Sequence, residues 1–337
     1  MKITDFARHV TDFFTKYLPE VKNMSENTIF SYRDTFRLLL AYCRDYEKIA
    51  PEKIQITHVN DTLLLRFLDW LEKERGCSVV TRNNRLAAIH SFFKYVQVWE
   101  PKHMLACQRI LQIPFKKHQK TFIEHLSPEQ TQELLALPGF KSQKARRNTT
   151  LLSVLYDTGA RVQELCDLRV RDVRIEKPPI ITLTGKGRKT RQVPLMTNTA
   201  NLLYSYMNEN KLLQNGKQDM PLFFNQIQAK LTRGGVSYLL HKYANKLSIK
   251  YPNIHKKLTP HILRHSKAMH LYQSGVNLVY IRDILGHVNI STTDTYARAD
   301  TESKRKALEN AYPDITPNDT YIDWKLDLNL MDFLNSL

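Results

Sequence analysis

Apolar and polar positions along the first third of the chain alternate with the period of an α-helix. Ile29, Tyr32, Phe36, Leu39, Leu40 and Cys43 recur three or four apart, which puts them on one helical face. Ser25 lies just ahead of this stripe and is a cap residue by type. The same period returns over 61–74 and 80–98. In the latter, Leu86, Ile89, Phe92, Phe93 and Val96 form the apolar face, and Arg82, Arg85 and Lys94 supply basic groups along the helix. Residues 112–126 (QIPFKKHQKTFIEHL) break the period with Pro114 and a lysine cluster that includes Lys116 and Lys117. They read as an interdomain linker. LSPEQTQELL then opens a new helix, with Ser127 as cap and Pro128 at the first helical position.

Further on, 147–168 reads as helix interrupted at TGAR. Residues 180–195 (IITLTGKGRKTRQVPL) read as two short strands around a Gly-Lys-Gly-Arg turn. Helices are expected at about 197–213, 234–248, 260–274 and 276–285, the last closed by Gly286. Ser291 caps a final short helix carrying Asp294 and Tyr296. The predicted fold class is mainly α: a helical domain over 1–111, a basic linker over 112–126, and a mixed but mostly helical domain over 127–312 with a small antiparallel β-hairpin or sheet. An acidic and apolar tail follows over 313–337. No internal repeat interrupts this order.

Composition narrows the class. At 337 residues, 42% hydrophobic and 25% charged, the chain can build two ordinary globular cores. Its apolar runs are too short to span a bilayer, and MKITDFARHV has no leader-like apolar core, so the cytoplasm is the expected compartment. Cys43, Cys77, Cys107 and Cys166 form no CxxC pair, which argues for reduced thiols rather than disulfides or zinc. Charge changes the picture more. The net is +17. Residues 1–126 hold 20 Lys+Arg against 14 Asp+Glu, 127–312 hold 29 against 14, and 313–337 hold one Lys and five Asp. Two basic bodies and an acidic tail fit a polyanion partner for the bodies and a protein partner for the tail.

Candidate chemistry lies in the second body. Arg161 and Arg264 can hold the two non-bridging oxygens of a phosphodiester with paired hydrogen bonds. Glu164, one turn on from Arg161, is placed to brace it. Lys186 stands between Gly185 and Gly187 at the hairpin tip, where an ammonium can protonate a leaving oxygen; Lys189 competes for that role. Gly187 in place of Ser or Thr excludes a nucleotide-binding phosphate loop. In TPHILRHS, Thr259 and Pro260 start a helix that sets His261 and Arg264 one turn apart, with His265 next to them. HILRH lacks the glutamate of a zinc-protease helix, so no metal is expected. His287 follows Gly286 directly. Tyr296, a phenol with an ordinary pKa near 10, needs such cations and a base to become a nucleophile.

In order, TGARVQELCDLRVRDV, TGKGRKTRQVPL, TPHILRHS and LGHVNISTTDTY resemble the matching stretches of the tyrosine recombinases, the phage-integrase family, and within it the two-domain Xer-like members. TRNNRLAAIHSFFKYV is similar to the family's core-DNA-binding domain. The resemblance covers about 5–300. It implies a site-specific recombinase of double-stranded DNA, used for integration or excision of a mobile element or for resolving DNA multimers. Tyr296 would attack the scissile phosphate and form a 3′-phosphotyrosyl bond, Arg161 and Arg264 would clamp the phosphate, and Lys186 would protonate the 5′-hydroxyl. His261 would assist proton transfer from the tyrosine, His287 would hydrogen-bond the phosphate, and Glu164 would support the arginines. No metal, ATP or other cofactor is implied. The working form would be a homotetramer passing through a Holliday junction on bacterial nucleoid DNA, its tail exchanged between protomers, with partner recombinases or directionality factors as further partners. Phosphate contacts are expected from Arg82, Arg85, Lys94, Lys116 and Lys117, against the competing reading of a solvated helix face. One departure is Lys267, where many relatives have an apolar or aromatic residue. Two other functions remain open: a type IB topoisomerase-like relaxer, and an architectural DNA-binding protein without catalysis.

Overall fold

Side-chain caps set most helix starts. Asn60 accepts the N–H of Leu63, Ser78 that of Thr81, Ser142 that of Ala145 and Thr259 that of Ile262, each satisfying a donor that the first turn leaves free. The computed structural model describes residues 3–117, 124–185, 187, 189–252, 254, 258–286, 293, 296 and 334–335. It divides into two compact units, Met1–Thr121 and Phe122–Leu337.

The first unit is helical: α1 (Asp5–Asp12), α2 (Glu26–Asp45), α3 (Asp61–Lys73), α4 (Val79–Trp99) and α5 (Met104–Leu111). A π-helical stretch, Phe13–Val21, with Pro19 inside it, follows α1. α1, this stretch and α5 are additions to the elements expected from periodicity. α1 and α5 have eight residues each, too few turns for a stripe to stand out. Ser25 precedes α2, but its hydroxyl is bonded to Thr28 Oγ1 (2.9 Å) rather than to a backbone N–H. The α4 face read from the sequence is the buried one: Leu86, Ile89, Phe92, Phe93 and Val96 pack on Phe13, Phe36, Leu64 and Phe67. Phe92 meets Phe6, Phe13, Phe36 and Phe93 at angles of 67° to 85°, the edge-to-face arrangement that ring quadrupoles favour.

The second unit contains α6 (Pro128–Ala136), α7 (Gln143–Thr158), α8 (Val162–Asp167), a small sheet, α9 (Thr197–Glu209), α10 (Arg233–Lys250), α11 (Pro260–Gln273) and α12 (Leu278–Leu285). Ser127 and Gln130 form the capping box of α6. The sheet is antiparallel with strand order β1-β2-β3: β1 is Val173–Arg174, β2 is Ile180–Thr184 and β3 is Thr190–Pro194. β1, two residues long, is an unexpected third strand. Ile181 faces Val193 and Leu183 faces Arg191, so alternation turns these four side chains to the same face. Ile181, Leu183 and Val193 sit in a core with Leu151, Leu155 and Leu203 of α7 and α9. α9 stops at Glu209, short of 213, where the chain turns through Lys211 at φ 57°.

Candidate active site

The site is assembled where several chain ends meet. α7 ends at Gly159 in the left-handed conformation (φ 57°), and two residues later Arg161 starts α8. Glu164 folds back to accept the Arg161 backbone N–H (2.8 Å) and its Nη1 (2.8 Å). The same carboxylate receives Arg191 through Nη1 to Oε1 (3.0 Å) and Nη2 to Oε2 (2.7 Å). The Glu164 side chain is 3% exposed. Burial pushes its carboxyl up, but the bonds from Arg191 and Arg161 outweigh burial and hold it below the usual carboxylate range. Glu164 is therefore an anion shared by two guanidiniums, which leaves the cluster net positive.

Arg264 lies on the first turns of α11 and is 2% exposed. Its Nη1 donates to Gly159 O (2.6 Å) and its Nη2 to Leu285 O (2.5 Å). Arg161 Nη2 donates to Gly286 O (3.1 Å), and Arg191 Nε to Ile284 O (2.8 Å). The last carbonyls of α7 and α12, the negative ends of those helices, thus gather three guanidiniums. Burial, with Arg161 and Arg191 nearby, lowers Arg264 to about 10, so it remains a cation at neutral pH. Such an array of planar cations is built to hold an anion.

The approach to this array is an open cavity of about 470 Å³ lined by Arg161, Gln163, Arg233, Ser237, Thr259 and His261 among others. The Arg161 side chain is 38% exposed there. His261 is exposed, and partial desolvation with Arg264 and Arg161 close by depresses its basicity. Its ring stacks on His265, one turn along α11, with centroids 5.3 Å apart. His265 Nδ1 lies 2.8 Å from the Tyr296 hydroxyl. The histidine that touches this phenol is His265, then, with His261 one ring removed. Tyr296 is 1% exposed and packs among Ala268, Met269, Ile281 and Leu285 of α11 and α12. Burial raises its phenol to about 12, and burial, then His261, Arg264 and His125, lowers His265 to about 4. Both groups are neutral at pH 7.

Lys186 and His287 lie outside the described residues, as do Ser291, Asp294 and nearly all of the tail; Lys189 is exposed. Arg161, Glu164, His261, Arg264 and Tyr296 all come to this region of α8, α11 and α12. Arg191 and the contact made by His265 were not anticipated. Both had a signal: Arg191 is two residues before buried Val193 and so on the same strand face, and His265 is four after His261 and so on the same helix face. Lys267 is accommodated by an ion pair to Asp157 (3.2 Å, side chains 13% and 5% exposed) and lies over the Tyr156 ring. α11 is further tied to the segment leading into α6: Leu126 donates its N–H to Ser266 Oγ (2.8 Å), and its carbonyl accepts from His270 Nε2 (2.8 Å).

In the first unit the basic residues differ among themselves. Arg82 is 3% exposed, its Nη1 bonded to Asn83 Oδ1 and to Pro114 O (both 3.1 Å). The Arg85 side chain has its Nε buried. Lys94 and Lys117 are exposed. Lys116 is paired with Glu72.

Comparison with known proteins agrees with this architecture. Residues 124–303 match the model of the phage integrase family, and 11–98 match that of the phage integrase N-terminal SAM-like domain. The chain is 35% identical over its full length to "Putative integrase/recombinase y4rC" of Sinorhizobium fredii, covering 99% of that protein. It is 32% identical to tyrosine recombinase XerC of Roseiflexus castenholzii, covering 86% of this chain and 88% of that one. Among solved structures, the Tn1549 transposon integrase in complex with transposon right end DNA aligns with a TM-score of 0.70 at 20% identity, over 90% of this chain and 99% of that one. XerH bound to palindromic difH substrate aligns at 0.68 and 23% identity, over 86% and 81%. These two likenesses establish the shared fold.

Proposed function

This chain belongs to the phage integrase family, and from that premise we propose that it is a site-specific DNA recombinase whose nucleophile is Tyr296. The observation that carries the reading is the cluster of Arg161, Arg191 and Arg264 near Glu164, with Arg264 on the same helix, α11, as His261 and as His265, which contacts Tyr296. Arg161 and Arg264 clamp the non-bridging oxygens and so neutralise the charge that builds in the five-coordinate state. The Tyr296 oxygen bonds to phosphorus as the 5′-oxygen leaves and takes a proton from Lys186. His287 hydrogen-bonds the phosphate. His261, exposed beside Arg161, assists the tyrosine proton. The phosphotyrosyl bond keeps the energy of the broken phosphodiester, so rejoining calls for neither metal nor ATP.

The same reading assigns the helical unit, with the linker that follows it, to gripping duplex DNA, and the tail to a neighbouring protomer in a tetramer on two sites. Lys94, Lys117 and Arg85 are assigned to phosphates, whereas the Arg82 guanidinium is engaged inside its own unit. Among the described residues no helix is long and apolar enough to cross a membrane, and we place the enzyme in the cytoplasm with the DNA it rearranges. Integration, excision and multimer resolution use this one chemistry. The test is incubation with nicked half-site DNA in EDTA. A covalent protein–DNA adduct is expected from the wild type and not from Tyr296→Phe. An adduct that persists in Tyr296→Phe removes Tyr296 from the role.

A further inference from the structure

Arg191 ties one strand to two helices. Its Nη1 and Nη2 bridge both oxygens of Glu164 on α8, and its Nε donates to Ile284 O near the end of α12. Its side chain is 12% exposed, against 38% for Arg161. The bonds of Arg264 go to carbonyls, which leaves its charge for an anion; the charge of Arg191 is instead matched by a carboxylate. The strand is β3, and Arg191 stands close to its turn. It faces Leu183 in the ladder, one pair in from Thr184 and Thr190, where the ladder ends. Beyond that pair Gly185 donates its N–H to Lys189 O (2.8 Å). Gly185 also rests on Glu164: a Cβ there would lie 2.9 Å from Glu164 Oε1 and 3.7 Å from Arg161 Nη1. Both arms of the hairpin therefore meet the same carboxylate, β3 through the Arg191 fork and β2 through the bare backbone of Gly185. The residue after Gly185 is Lys186.

We propose that Arg191 is a positioning residue for the general acid: by clasping Glu164 and Ile284 it fixes the hairpin from which Lys186 delivers its proton. The inference rests on Lys186 being that acid and Tyr296 the nucleophile. In this step the Tyr296 oxygen bonds to phosphorus and the bond from phosphorus to the 5′-oxygen breaks, leaving its electron pair on oxygen. The Lys186 ammonium gives that oxygen a proton and becomes an amine. The clasp can be undone while the phosphate clamp stays: Glu164 still accepts the Arg161 backbone N–H and Nη1, and Arg264 is held by Gly159 and Leu285. An ammonium on a flexible stem transfers its proton well only when the base of the stem is fixed, and a shift of about 1 Å costs about a hundredfold in rate.

The experiment compares adduct formation on nicked half-site DNA with that on the same DNA carrying sulfur in place of the scissile 5′-oxygen. A thiol has an ordinary pKa near 8.5, so the thiolate leaves without a proton and the reaction no longer needs the acid. Arg191→Lys keeps a cation beside Glu164 but has no planar fork to bridge its oxygens and reach Ile284 O as well. It should form adduct about a hundredfold more slowly than wild type on oxygen DNA and close to the wild-type rate on sulfur DNA. Lys186→Ala should show the same rescue. Combined with Lys186→Ala, Arg191→Lys should slow the oxygen reaction no further, whereas independent effects would multiply to about ten-thousandfold. The proposal is overturned if Arg191→Lys matches wild type on oxygen DNA, if sulfur leaves it slow, which would put Arg191 on the phosphate, or if the two substitutions multiply. Should Arg191→Lys lose its helical circular dichroism, Gly185→Ala, whose Cβ pushes the same hairpin off Glu164, takes its place under the same criteria. Sulfur failing to speed Lys186→Ala defeats the general-acid reading, and the proposal falls with it; sulfur failing to speed Arg191→Lys alone defeats only the proposal.

Discussion

Glu164 shows how a single carboxylate can organise a cationic site. Alone among three guanidiniums it would be costly to bury, but two of them donate to it in near-ideal geometry, which repays desolvation. The histidines on α11 make the opposite use of burial. His265 falls to about 4 from an ordinary 6.5, chiefly through desolvation, and His261 and His270 are shifted the same way. The unfolded chain therefore binds more protons than the folded one between those values. Stability from these residues is complete above about pH 6.5 and is lost as pH falls toward 4. Urea midpoints should drop steadily across that window; a midpoint unchanged from pH 7 to pH 4.5 would contradict the assignment.

At the scale of elements, the site depends on where helices stop. Gly286 ends α12 at φ 65°, and a Cβ there would lie 2.9 Å from Arg191 Nη1 and 3.0 Å from its Cδ. Gly286→Ala should cost about 1–2 kcal/mol in backbone strain and displace Arg191 from Glu164. Lower denaturation midpoints together with a loss of adduct are expected, and a variant equal to wild type in both would refute the argument. Much of this was legible in the sequence. The stripe over α4, the Ser-Pro start of α6, the Gly-rich turn between β2 and β3, and Gly286 itself each carry a local rule. Residues 13–21 and β1 carry none, because a π-helical stretch and a two-residue strand are decided by what packs on them. The Leu126 contacts join residues 140 and 144 positions apart, a pairing that no periodicity can announce. For Arg82 the place on α4 was clear from the sequence, but not its burial or its bond to the Pro114 carbonyl, 32 residues away.

For the molecule as a whole, charge divides labour. Most of the net charge of +17 belongs to 127–312, where 29 basic residues face 14 acidic, so DNA binding should be strongly salt-dependent through counterion release. Replacing exposed Lys94 by Ala should lower the slope of log affinity against log salt by about 0.9, one phosphate contact. Arg82→Ala should lower stability and leave that slope alone. Binding titrations at several salt concentrations separate the two, and equal slopes for Lys94→Ala and wild type would withdraw Lys94 from the DNA. The stitching of Leu126 to α11 has its own consequence. This residue belongs to no helix or strand, yet its amide proton is shut inside a bond to Ser266, whose side chain is wholly buried. Its exchange with deuterated solvent can proceed only when α11 parts from the segment ahead of α6. One backbone amide thus serves as a clock for the helix that carries His261, Arg264 and His265, ticking as slowly as the core it is pinned to and quickening whenever that helix lets go.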